Sequence, residues 1–169
     1  FKTHVCFDCV APDRERDIMR EYKGAMDLSF HRSASRRLFA LENILRVLDA
    51  LKSESIIGVV DCADSLFRRD CLDLVQNEYS DAVKCVWTAH HWDKNGMNQS
   101  SPLNNMASPY QQPWASSHFR TFLLSYYRRV NKKNFLDDKG NFFKRTYDQA
   151  LMLPIIHLVL SDGLRTKYI

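Results

Sequence analysis

Nowhere in its 169 residues does the chain hold eighteen consecutive apolar residues, so it encodes no membrane-spanning helix. A charged-then-apolar leader is also missing: Phe1 is followed almost at once by a strand-like segment. No signal peptide is therefore expected at Phe1, and the expectation is of a domain entered part-way. No stripe of single-sign charge occurs. The net charge is only +4, and the basic residues fall in scattered pairs such as Arg36 with Arg37, Arg68 with Arg69, Arg128 with Arg129, and Lys132 with Lys133. Nucleic-acid binders concentrate charge on one face, so these pairs are assigned to solvated helix faces and no nucleic-acid partner is expected. Weak attraction to an anionic substrate or membrane surface stays open. Regular cysteine spacing is absent as well. Five cysteines (Cys6, Cys9, Cys62, Cys71 and Cys85) give an odd count, which argues against a disulfide framework and for a reducing, cytoplasmic setting. Cys6 and Cys9 form a C-x-x-C inside the run Val5–Val10, but no second such pair completes a zinc site, so strand packing is expected there. Internal repeats and low-complexity tracts are lacking too.

What the chain does have is an ordinary globular balance, 45% apolar and 26% charged, at a length suited to one domain spanning 1–169. Residues 3–10 form a β-branched, apolar run ended by Ala11-Pro12-Asp13, which predicts a buried strand and a turn. A short charged helix is expected over 13–22 and a brief strand near Met26–Phe30. Leu38, Leu41, Ile44, Leu45, Leu48 and Leu51 recur at helical spacing and predict a helix over 35–52. Ile56–Val60 ends abruptly in Asp61, the pattern of a strand buried on both faces of a parallel sheet. A helix to about Tyr79 and a strand over 83–88 follow. The alternation implies an α/β domain with a mostly parallel sheet flanked by helices. Residues 89–115, rich in Asn, Ser, Pro and aromatics, break the rhythm as a long loop whose Trp and Tyr content favours a functional role. An amphipathic helix is expected over 117–130, and a last apolar helix over 147–160, kinked near Pro154.

Four groups can carry chemistry. Asp61 and Asp64 lie three positions apart at the expected carboxyl end of a strand, where open α/β sheets bind ligands. Such a pair can hold a divalent cation through hard oxygen ligands, or Asp64 can simply cap the helix from Ser65 onward. Asp8 interrupts an apolar strand, so it either faces solvent at the sheet's edge or meets a ligand. Asp148 opens the last helix, where the dipole favours a carboxylate in any case; as a general base it has to face the same cleft as Asp61. His90, His91, Trp92, Trp114 and Ser116–Arg120 form the long loop and its exit. Vicinal histidines on an extended segment point apart, so a zinc site from His90, His91 and His118 is disfavoured. Aromatics beside Arg120 suit a sugar or diphosphate better.

Taken together, Phe7–Asp13, the helix carrying Ala40 and Asn43, and Val60–Leu66 resemble family 2 glycosyltransferases, which have the GT-A fold. Three later segments in order are the most specific: Pro113–Phe122, Asn134–Gly140 and Tyr147–Pro154 look like a bacterial and viral branch of that family. The resemblance spans most of the chain. It implies a GT-A (Rossmann-like) domain that transfers a sugar from a UDP- or other NDP-sugar to a glycan, lipid-linked or other acceptor hydroxyl, assisted by Mn²⁺ or Mg²⁺. It further implies that Asp8 contacts the nucleotide base and that Asp61 meets the ribose or the metal. Asp64 would be a metal ligand and Asp148 the base that deprotonates the acceptor, while Asn43, Trp114, His118 and Arg120 would line the nucleotide-sugar site.

Two departures accompany the resemblance. Ala63 stands where the family has an Asp, and a methyl cannot ligate a cation. The family's first strand and helix, which precede Asp8, have no counterpart, so a truncated fragment is expected. The alternatives are a catalytically silent relative that binds a nucleotide-sugar or glycan, and a phosphohydrolase or nucleotidyltransferase, which also places an Asp pair at a strand end.

Overall fold

A computed structural model describes every residue except Phe1, Lys23, Ala25, Met26, Ala34, Ser35, Cys62, Ala63 and Ser117. The expectations that rest on Cys62 and Ala63 therefore lie outside the described residues, as do the expected first residues of the second strand and the long helix. The fold is a mixed α/β one with two small sheets, and its contacts gather into two compact units: 1–52 with 137–147, and 53–136 with 148–169. Among the described residues no helix is long and apolar enough to cross a membrane.

In the first unit β1 (Lys2–Asp8) and β2 (Asp27–Ser33) pair in parallel, Lys2 opposite Asp27 through Asp8 opposite Ser33. Helix α1 (Pro12–Glu21) joins them. Pro12 starts it, where a missing N–H costs nothing, and Asp13 and Glu15 in its first turn complement the helix dipole. It buries no residue and is tied to β2 by an Arg32–Glu15 ion pair of 3.1 Å. Helix α2 (Phe39–Ala50) buries Leu41, Leu45 and Leu48, the stripe that the leucine spacing predicts, and packs on β1.

The second unit holds the larger sheet, in the order β3 (Ile56–Val59), β5 (Arg120–Leu123), β4 (Val83–Trp87), β6 (Arg165–Tyr168). Strand β5 runs antiparallel to both its neighbours, while β4 and β6 are parallel. Cys85, Val86, Trp87 and Phe122 from the two central strands are wholly buried. Helix α3 (Cys71–Glu78) sets Val75 against Val86 and Phe119. Helix α4 (Leu124–Arg129) follows β5 directly, and α5 (Tyr147–Ser161) passes through Pro154 with Leu151, Met152, Ile155, Ile156 and Val159 buried. One polar chain inside is fully paired: the Tyr79 hydroxyl donates to Thr121 Oγ1 at 2.8 Å, which in turn donates to the Val86 carbonyl at 2.8 Å.

Several expectations are corrected. The larger sheet is not mostly parallel, because β5 inserts antiparallel between β3 and β4. The helix expected over 117–130 is instead strand β5 and the six-residue α4. Arg120, Thr121 and Phe122 are all buried, and a strand covered on both faces carries no alternation to betray it. Strand β3 is an edge strand with only Val59 buried, rather than one buried on both faces. In β1 only Phe7 is buried; Cys6 and Cys9 are exposed free thiols rather than packed ones. Strand β6, four residues with Arg165 and Lys167 exposed, has no counterpart in the sequence reading.

Candidate metal centre

The antiparallel register of β3 and β5 sets Val59 opposite Arg120, so the chain leaving β3 and the chain entering β5 meet at one end of the sheet. Trp87 at the end of β4 also faces Arg120, which brings the exit of β4 to the same end. Residues from three segments distant in sequence thus converge: Asp61 with Asp64, 88–90 and 118–120. The Asp64 N–H donates to the Asp61 carbonyl at 3.0 Å, a turn that keeps the two acidic residues close. On the other side, the Phe119 N–H donates to Thr88 Oγ1 at 3.2 Å and the Thr88 N–H to the Phe119 carbonyl at 3.1 Å, anchoring the segment that carries His118. Gly58 makes room for this segment: a Cβ there would lie 2.5 Å from the Phe119 ring.

His118 is the hub. Its Nε2 lies 3.5 Å from Asp61 Oδ2 and its Nδ1 3.2 Å from Asp64 Oδ2. One ligand atom from each of these three residues falls within 4.8 Å of the others, and this is the one such group of three or more among the described residues. Arg120 is wholly buried, with Nη2 2.7 Å from His118 Nδ1 and 2.8 Å from Nε2. The His90 ring meets the His118 ring edge-on with centroids 5.1 Å apart. Burial pushes the His118 pKa down, the Arg120 guanidinium pushes it further, and Asp61 and Asp64 oppose both. The ring is therefore biased toward its neutral form, the one with a lone pair to offer a cation. Asp64 Oδ2 is buried and accepts no hydrogen bond. An oxygen held this way is costly unless it faces positive charge, and hard carboxylate oxygens with one imidazole make a donor set that fits a divalent cation.

Of the residues singled out by sequence, Asp61, Asp64, His118 and Arg120 come together. Asp148 lies half-buried in the first turn of α5 and is not one of the three clustered ligands. Trp114 is half-buried just before the buried Ala115 and Ser116. Asp8 and Asn43 belong to the first unit, where each is engaged with backbone. The Asp8 carboxylate accepts from the N–H of Leu38 at 2.7 Å and of Phe39 at 2.9 Å, and the Asn43 amide donates to the Phe39 carbonyl at 3.0 Å. The disfavoured zinc trio does not form: His90 reaches His118, but His91 is exposed and pairs instead as an isolated bridge with Asn98. Thr88 is the residue sequence reasoning missed; nothing in Val86-Trp87-Thr88 marks it as the anchor of a strand two segments away. The loop 89–115 is held by its own amides. Asn98 Oδ1 accepts from the N–H groups of His90 and Ser100, and the Gln112 amide donates to the carbonyls of Asn104, Ala107 and Ser108.

No protein-family model matches the chain, and no curated protein matches it.

Proposed function

We propose that the chain is a metal-assisted glycosyltransferase of GT-A type, acting on a UDP- or other NDP-sugar, with Asp61, Asp64 and His118 as the residues that hold Mn²⁺ or Mg²⁺. The observation that carries this reading is the cluster itself: an acidic pair past a strand end, joined by an imidazole from the segment that enters the neighbouring strand, with a buried carboxylate oxygen left without a hydrogen bond. Two carboxylates against the Arg120 guanidinium leave one negative charge when His118 is neutral. A dication turns that into a positive site, and a diphosphate is the natural anion to meet it. The donor set leans toward Mn²⁺, since imidazole is a better ligand for it than for Mg²⁺. When bound, the metal supplies charge stabilisation for a departing diphosphate. Around it, His118 fixes the positions of the two carboxylates and Arg120 adds a second positive group. In this reading Asp148 takes the acceptor hydroxyl's proton, while Trp114 serves the sugar.

A second reading is a silent relative that binds a nucleotide-sugar or glycan without turnover. The contact between Arg120 and His118 favours it, because a buried guanidinium already offsets part of the carboxylate charge without any metal. A panel of NDP-sugars scored for donor hydrolysis, with Mn²⁺ and with EDTA, separates the two. Metal-dependent release of NDP from at least one donor supports the transferase. NDP-sugar binding without release supports the silent relative, and cleavage of simple phosphoesters without a sugar would indicate a phosphohydrolase.

A further inference from the structure

The first unit contains a second group of ligating side chains, remote in sequence from residues 61–64 and 118. His4 on β1 and His31 on β2 share a ring-to-ring hydrogen bond, with Nδ1 and Nε2 2.8 Å apart, and a cation would take the place of the shared proton. The rings lie at 30° to each other with centroids 5.1 Å apart. The parallel register sets His4 opposite Ser29 and Cys6 opposite His31, so the alternation of a strand brings His4, Cys6 and His31 to one face of the two-stranded sheet. Both histidines are half-buried and Cys6 is exposed, so the group is held by the sheet yet open to solvent.

We propose that His4 and His31 form a cross-strand binding site for a tetragonal divalent cation of the Ni²⁺ and Cu²⁺ class. The nitrogen spacing is what selects the class. Two metal–nitrogen bonds of ~2.0 Å at a right angle span about 2.8 Å, whereas the same bonds at a tetrahedral angle span about 3.3 Å. The observed separation matches the edge of a square-planar or tetragonal site and falls short of the tetrahedral one zinc prefers. Hard cations such as Mg²⁺ seek oxygen ligands and have little claim on two imidazoles. Partial burial pushes the His4 pKa down, with His31 and Lys2 acting in the same direction and Asp27 against them, which keeps an unprotonated ring available near neutral pH. Water, open to the half-buried pair, is the group at hand for the remaining positions.

The test uses the full chain without an affinity tag and Ni²⁺ as the probe, since Ni²⁺ does not oxidise thiols. Calorimetric titration is run on the wild type, His4→Ala, His31→Ala and Asp64→Asn. The proposal expects a Ni²⁺ site that weakens at least about tenfold in either histidine variant and persists in Asp64→Asn. A site unchanged in both histidine variants overturns it, as does one lost only in Asp64→Asn. In the wild type, the histidine ring signals of an ¹⁵N-labelled sample give an answer that needs no folded variant. His4 and His31 should broaden together at substoichiometric Ni²⁺, and broadening confined to other histidines overturns the proposal. Neither outcome bears on the glycosyltransferase reading, whose metal ligands Asp61, Asp64 and His118 lie in the other unit.

Discussion

Asp8 is the residue on which two roles compete most visibly. Its carboxylate spans the amides of Leu38 and Phe39, the residues at which α2 begins, and Phe39 sits at a φ of 64°. Helix starts leave amides without partners, and a carboxylate there is also favoured by the dipole. Asp8 thus does from another strand what a local capping residue does elsewhere, and the absence of a side-chain cap from Leu38 itself fits that. Asp8→Ala should lower stability by about 1 kcal/mol, read as a shifted urea midpoint at unchanged slope. An unchanged midpoint with weakened nucleotide binding would return the residue to the role the family resemblance gives it. From sequence, Asp8 was recognisable as a carboxylate with something to satisfy. What satisfied it was not, because its partners lie thirty residues away and are main-chain groups that leave no mark on composition. Asp61 and Asp64 were legible for the opposite reason: their meaning is local, a pair of acids just past an apolar strand. His118 stood in the right segment, but only the strand register shows that it faces them.

At the scale of elements, the helices with one apolar stripe were readable and the short central strands were not. Helix α2 buries one stripe, so its leucine spacing transmits directly into structure. Strand β5 is only four residues long and covered on both sides, and Phe119 just before it, with its Phe122 and Leu123, happens to fit a helical period when joined to Tyr126 and Val130. Periodicity cannot separate the two in so short a run. The error matters because β5 is the element that builds the centre: as a helix, 117–130 would not set Arg120 opposite both Val59 and Trp87. Gly58 is the small residue on which this arrangement leans. Gly58→Ala drives a methyl into the Phe119 ring, and the strand has to shift to admit it. The expected cost is about 1–3 kcal/mol in chemical denaturation, with weaker Mn²⁺ binding because His118 is the residue before Phe119. Full retention of both stability and metal affinity would show that the ring has room to move away. At the far end of the same unit, α4 and α5 are tied through Asp162, which accepts from the Tyr126 hydroxyl at 2.9 Å and from both Arg129 terminal nitrogens at 2.5 and 2.9 Å. These bonds, that of Arg129 first, hold its pKa down at about 2.

For the molecule as a whole, an α/β organisation could be read from alternating strands and helices, whereas the sheet's mixed order could not. Strand order depends on which edges find each other, and that is decided by burial across segments such as 83–87 and 120–123 rather than within them. The second unit is assembled from residues on both sides of 137–147, so it closes only after most of the chain is in place. Its centre at Asp61, Asp64, His118 and Arg120 is the physical core of the functional proposal, because it is there that carboxylates, an imidazole and a guanidinium share a few ångströms. The most direct measurement is calorimetric titration of UDP into the full chain with Mn²⁺, with EDTA, and with Mn²⁺ in the Asp64→Asn and His118→Ala variants. The proposal predicts UDP binding that requires Mn²⁺ and weakens at least about tenfold in each variant. UDP binding that is the same in EDTA, or no binding to the folded wild type under either condition, would contradict it.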